Sequence, residues 1–301
     1  QYGLKSYNVF KTYMGLSEDG LEFRRKVPEP LHHIRYRMKN DLYGHRFDGI
    51  AAGVQRLTEE LMTSWVRAAV RRTGIRRITA GGGLFYNIKA NKRILELPEV
   101  DALRVMPSPG DVTTSVGAAQ WVYAERMREQ GNESDVQPLG PLYLGDDPGT
   151  EREIEDVLMQ WWNAEDLLAG DPVNWDFQRY ADVDAEAADL ILKGEIVARA
   201  RGPMEFGSRA LGNRSILCDA SDLRNVNILN RMIKMRDHWM PYSPVIRSAR
   251  ADDYLVNPKH ARAPYMAVAF DTKPESRGDI LAAIHQADFT ARPQVLSPTW
   301  N

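Results

Sequence analysis

Residues 75–94 read IRRITAGGGLFYNIKANKRI, and this stretch sets the fold class. Ile75 to Ala80 predict a short strand, and Gly81, Gly82 and Gly83 end it. Residues 102–127, ALRVMPSPGDVTTSVGAAQWVYAERM, repeat the theme as strand, loop and a helix from about Thr113. An order of strand, glycine loop and helix is typical of α/β domains. Just upstream, residues 48–73 predict the clearest helix of the chain. Ile50, Val54, Leu57, Leu61, Trp65 and Ala68 recur at three- and four-residue steps, which places them on one face. Asp48 suits its N-cap and Gly74 its stop.

Residues 129–151, EQGNESDVQPLGPLYLGDDPGTE, are rich in Gly, Pro, Asp and Asn and predict a linker. Beyond it Ile154, Val157, Leu158 and Trp161 mark an amphipathic helix. Residues 184–193 predict another, which Gly194 ends before a strand in EIVARA. Bulk composition bounds the function. The 301 residues suffice for two domains, and a net charge of −2 argues against a nucleic-acid partner. One cysteine, Cys218, excludes an internal disulfide framework and fits a reducing cytoplasm. No apolar run nears the roughly 18 residues that a membrane span needs.

Several stretches could carry chemistry. Three glycines after a strand let a ligand approach the backbone, and Asn87, Asn91 and Lys92 add donors nearby. The alternative is an ordinary tight turn. Asp111, in PSPGDVTT, reads as a helix N-cap or as a metal ligand needing partners. His32, His33 and His45 form no H-x-x-x-H pair, so spacing completes no metal site. Residues 202–217, GPMEFGSRALGNRSIL, are denser. Arg209 and Arg214 follow Gly207 and Gly212, and guanidinium forks beside relaxed backbone suit phosphate. Arginines five apart do not share a helical face, which favours a pocket on a turn. Glu205 could pair with one of them; a salt-bridged loop is the competing reading. In NRMIKMRDHWMPYSP, residues 230–244, Lys234 and Arg236 would point the same way on a strand and diverge on a helix. Arg292 and Gln294, in TARPQV, add donors, while His238 and His285 read as structural.

Taken in order, these stretches resemble one family. AGGGLFYNIKANKRI and PSPGDVTTSVGAA are similar to the glycine–asparagine and metal-loop segments of O-carbamoyltransferases of the nodulation and antibiotic-tailoring type. GPMEFGSRALGNRSIL, LNRMIKMRDHWMPYSPVI and TARPQV resemble successive blocks of that family's second domain. The resemblance implies the C-terminal half of a sugar-kinase/Hsp70-like (ASKHA) domain at 1–128, a linker at 129–151, and a truncated YrdC-like domain at 152–301. In such enzymes the YrdC-like domain makes carbamoyl-adenylate from ATP and carbamoyl phosphate. The first domain then passes the carbamoyl group to a hydroxyl of an antibiotic, a sugar or a lipo-oligosaccharide. Carried over by residue, Arg209, Lys234 and Arg236 would be catalytic, and Glu205, Ser208, Asn213, Arg214 and Arg292 would bind substrate or phosphate. Gly81, Gly82, Gly83 and Asn87 would lie along the first domain's nucleotide, and Asp111 would ligate its metal, Fe²⁺ or another divalent ion. ATP and Mg²⁺ are the implied cofactors. No membrane is implied, and a homodimer is left open.

The chain departs from the family pattern in places. Met240–Pro241–Tyr242 stands where Arg-Pro-Phe is usual, which removes one expected cation. DVTTS replaces the usual glycine-containing segment after the aspartate. The family's H-x-x-x-H pair and its Asn-Thr-Ser-x-Asn block fall outside the sequence, so a fragment is expected. Two other readings compete. One is a related carbamoyl-transfer enzyme of tRNA modification or hydrogenase maturation. The other is a non-catalytic nucleotide- or RNA-binding YrdC-like module.

Overall fold

A computed structural model describes residues 2–133, 136, 140–162 and 178–298. The chain is mixed α/β and packs as two compact units. The first comprises residues 1–113 with 257–263 and 267–270; the second comprises 114–256 with 264–266 and 271–301. Among the described residues no helix is long and apolar enough to cross a membrane.

The first unit begins with helix α1 (Tyr2–Lys11) and the antiparallel strands β1 (Met14–Leu16) and β2 (Phe23–Arg25). Helix α2 (Leu31–Asp41) precedes the long helix α3 (Phe47–Thr73). Gly74 ends α3 in the left-handed region at φ 72°, as the sequence predicts. The start differs. Arg46 is the N-cap without a side-chain bond, and Asp48 sits in the first turn, paired to Arg46 at 2.8 Å. A carboxylate there still complements the helix dipole. The buried face also differs. Val54 is 44% exposed, whereas Met62, Val66 and Val70 are buried with Leu57, Leu61 and Ala68. The single stripe read from periodicity misses this because α3 packs against two neighbours, α1 and helix α4 (Ile88–Leu95).

Strand β3 (Arg77–Ala80) and strand β4 (Ala102–Val105) pair in parallel, joined through α4. Ile75, predicted in the strand, lies outside it and is 61% exposed. Helix α5 (Thr114–Glu129) follows close to its expected start.

In the second unit, α6 (Glu151–Trp162) forms where expected, but Ile154, Val157 and Leu158 are exposed and none is buried. The side chain of Trp161 lies outside the described residues. Helix α7 (Val183–Leu192) is N-capped by Asp182, whose carboxylate accepts from Ala185 N, and Gly194 follows at φ 91°. Strand β5 (Val197–Ala200) pairs antiparallel with β6 (Arg214–Leu217). Helix α8 (Leu223–Asn227) runs into a π-helical turn at Ile228–Ile233. Strand β7 (Val245–Arg247), helix α9 (Ala251–Tyr254) and strands β8 (Leu255–Val256), β9 (Phe270–Thr272), β10 (Thr290–Ala291) and β11 (Gln294–Leu296) complete the chain. β11 pairs with β7 in parallel, and β10, β9 and β8 form a three-stranded sheet.

One close approach fixes the first unit. A Cβ on Gly53 of α3 would lie 2.6 Å from Tyr7 N and 2.7 Å from Ser6 Cβ of α1. Backbone atoms cannot yield as a flexible side chain can, so the two helices would have to separate. Gly53→Ala is therefore expected to lower stability by about 2 kcal/mol or more in urea unfolding, despite alanine's better helix propensity.

Candidate functional site

The loop between β5 and β6 is organised by one buried carboxylate. Glu205 is 9% exposed, and its Oε1 accepts from Leu211 N at 2.8 Å, Asn213 N at 2.7 Å and Arg214 N at 3.0 Å. Burial pushes its pKa up, but the amide donors of Arg214, Leu211 and Asn213 outweigh burial and hold it below the ordinary value. Glu205 therefore pairs with backbone amides, not with the arginine side chain that the sequence suggests. Gly207 and Gly212, at φ 105° and 117°, let the chain wrap around that carboxylate. Residues 142–146 brace the loop from outside. Phe206 N donates to Leu142 O at 2.6 Å, Gly145 N to Met204 O at 2.9 Å, and Met204 N to Asp146 O at 3.1 Å.

Arg214 is also spent locally. Its Nη1 reaches the carbonyls of Arg201, Gly202 and Asn213, and its Nη2 reaches that of Asp146. Asn213 Nδ2 donates to Pro203 O at 2.8 Å, and Ser208 is exposed. These three residues hold or rim the loop.

Three other guanidiniums converge. Arg292 is half-buried, and burial, then the charges of Arg209 and Arg236, push its pKa down to about 10. Its Nε donates to Ser243 Oγ at 3.0 Å. Arg236 stacks over the Tyr242 ring at 4.7 Å, and its Nε donates to Asn230 Oδ1 at 2.7 Å. Residues 234–236 adopt neither the strand nor the helix considered from sequence. The π turn closes with Lys234 N on Leu229 O at 2.8 Å, and Met235 then takes a left-handed φ of 47°. Lys234 remains exposed while Arg236 turns inward.

Tyr242 and Ser243 line a cleft of about 890 Å³ together with Arg199, Arg201, Asp184, Cys218 and Gln294. That is ample for a small-molecule ligand. Asp184 pairs with Arg199 at 2.9 Å and with Arg201, and Arg201 first among its causes holds its carboxyl below the usual range. Burial pushes the Cys218 thiol up, so it is not a poised nucleophile. Arg199, Arg201, Asp184, Tyr242 and Ser243 were missed from sequence. The two-residue spacing of Arg199, on β5, and Arg201, just past its end, was the signal available for two of them.

In the first unit the glycine loop and the Asp111 loop lie together at the carboxyl ends of β3 and β4, where open parallel sheets bind ligands. Gly82 N donates to Pro109 O at 2.7 Å. Gly81, Gly82 and Gly83 are exposed, and a Cβ on Gly82 or Gly83 would meet nothing within 4 Å. The downstream donors serve the protein itself. Asn87 caps α4 through Ala90 N and exchanges amide bonds with Gln55 at 2.9 and 3.1 Å. Asn91 is buried and donates to Phe85 O and Ala267 O, and Lys92 pairs with Glu96 at 2.7 Å. Asp111 is exposed, and among the described residues no three His, Cys, Asp or Glu side chains group to hold a metal ion. The described residues therefore do not complete the expected metal site.

Residues 5–120 match the family model of the carbamoyltransferase N-terminus, and residues 188–301 match that of the carbamoyltransferase C-terminus. The chain belongs to the carbamoyltransferase family. Nodulation protein NolO of Bradyrhizobium diazoefficiens is 30% identical over 297 residues, covering 97% of this chain and 52% of NolO. Nodulation protein NolNO of Sinorhizobium fredii is 27% identical over 298 residues, covering 98% of this chain and 42% of NolNO. An uncharacterised protein of Methanocaldococcus jannaschii is 29% identical over 296 residues, covering 96% and 45% respectively. The chain thus spans about half the length of these curated relatives. The glycine loop and Asp111 fall within the N-terminal match, and the arginine cluster within the C-terminal one.

Glu205 gives this site a pH signature. Its folded pKa lies below the ordinary 4.5, so its contribution to stability is full above that value and is lost as pH falls through the folded one. Glu205→Gln is expected to cost about 1–3 kcal/mol at neutral pH and to flatten the acid limb of a stability–pH curve measured by denaturant melts.

Proposed function

We propose that the chain carries the carbamoyl-activating part of an O-carbamoyltransferase. The observation that supports this most is that Arg292 feels the charges of both Arg209 and Arg236, while Arg236 and Arg292 contact Tyr242 and Ser243, which line a large cleft within the region similar to the carbamoyltransferase C-terminus. In this reading the second unit is YrdC-like and the first contributes part of an ASKHA domain.

The chemistry needs such a cluster. Carbamoyl phosphate yields its phosphate to water and leaves carbamate. A carbamate oxygen then attacks the α-phosphorus of ATP, pyrophosphate departs, and carbamoyl-adenylate forms. An acceptor hydroxyl attacks the carbamoyl carbon, AMP leaves, and the hydroxyl proton passes to a base. Carbamate and ATP repel each other until fixed cations, with the Mg²⁺ that accompanies ATP, screen them. Arg209, Arg236 and Arg292 would do this, with Lys234 reaching in from the exposed end of the π turn. No protein nucleophile is required, which suits a neutral Cys218 thiol. In the first unit the glycine loop would lie along that unit's own nucleotide, and Asp111 would serve the transfer step. Carbamoyl phosphate and a hydroxyl-bearing acceptor are the proposed substrates. One cysteine and an ATP-dependent reaction fit the cytoplasm.

The test supplies ATP and carbamoyl phosphate to the protein carrying this chain and follows pyrophosphate release. Arg209→Ala, Lys234→Ala and Arg236→Ala are each expected to slow release about 100-fold or more. Asp111→Ala should spare release and stop carbamoylation of the acceptor. Parent-like release from all three cation variants would refute the assignment.

A further inference from the structure

Asn230 is fully buried and uses its whole hydrogen-bonding capacity. Its Oδ1 accepts from Arg236 Nε and from Tyr242 OH, each at 2.7 Å. Its Nδ2 donates to His238 O at 3.2 Å and to Met240 O at 3.1 Å. It thus ties together both ends of the 236–242 loop from inside the π turn, a geometry that recurs at functional sites.

The choice of an amide matters. A carboxylate at this place would also hold the guanidinium, but it would neutralise it. An amide fixes Arg236 and leaves its charge intact. Because Nε is occupied, the fork formed by Nη1 and Nη2 is the edge that would face a ligand, and the guanidinium carbon lies over the Tyr242 ring at 4.7 Å. Tyr242 and Ser243 extend the same arrangement to Arg292 through Ser243 Oγ.

We propose that Asn230 is a positioning residue that orients Arg236, undischarged, to present its terminal nitrogens to a phosphate-like dianion. This rests on the reading of the arginine cluster as an anion site.

Sulfate serves as the probe, with affinity measured by titration calorimetry on folded protein. Arg236→Ala should weaken sulfate binding about tenfold. Asn230→Asp, which keeps shape and acceptors but adds a charge, should weaken it to a similar extent. Asn230→Ala should weaken it less and also lower Tm. In the parent, the Arg236 Nε–H resonance, assigned by its loss in Arg236→Lys, should exchange slowly with water; a purely structural asparagine elsewhere would not produce this protection. Parent-like sulfate affinity in folded Asn230→Asp, or fast exchange of the parent's Arg236 Nε–H, overturns the positioning role. If the Asn230 variants do not fold, the exchange measurement decides alone. Unchanged affinity in Arg236→Ala, or no sulfate binding by the parent, overturns the anion-site reading and this inference with it. Loss in Arg236→Ala with none in Asn230→Asp overturns the positioning role only.

Discussion

The second unit is built around a carboxylate that serves as an internal anion. Glu205 gathers the amides of Leu211, Asn213 and Arg214 in its own loop, and without that negative charge they would point at an empty centre. Burial of a carboxylate is unfavourable unless donors satisfy it. Here they do, and the loop acquires one conformation in return. The amides of Leu211, Asn213 and Arg214 are thereby committed within the fold. In the proposed reading anion binding falls to side chains, and Arg209 and Arg236 are close enough for their charges to act on Arg292.

A complementary arrangement surrounds Asn230. At Glu205 a charged acceptor is met by neutral donors, whereas at Asn230 a neutral acceptor meets a charged donor. Both groups are buried and well supplied with hydrogen bonds, but their electrostatic results are opposite. The first consumes its charge within the fold, and the second preserves the charge of Arg236 for use outside it. The repulsion felt by Arg292 follows from that preservation. Tyr242 and Ser243 stand in a segment that lacks the expected arginine at 240, and their hydroxyls restrain the asparagine hub and Arg292.

The first unit uses its polar groups differently. Asn87, Asn91 and Lys92 look in sequence like donors awaiting a ligand, yet each is engaged within the fold. Lys259 behaves similarly, its ammonium taking the carbonyls of Leu95 and Leu97 at the end of α4. Such capping satisfies orphan carbonyls that the helix cannot reach itself. What stays exposed at the carboxyl ends of β3 and β4 is the glycine loop, with Gly82 N held by Pro109 O.

Local rules made much of this chain legible. The stop at Gly74, the helix ending at Gly194, the strand before the triple glycine and the start of α5 each follow from a residue's own backbone preference. The motif around Arg209 and Lys234–Arg236 carried the family, because its order and spacing are written in the residues. Partners at a distance were not legible. Glu205 could not be known to choose amides over arginine, nor Arg214 to spend itself on four carbonyls. The two buried faces of α3 likewise depend on which helices arrive beside it. Sequence alone therefore determined where the chain turns and which chemistry it resembles. Tertiary structure decided which charges are consumed and which remain available, because that depends on desolvation and on hydrogen-bond partners that only folding brings within reach.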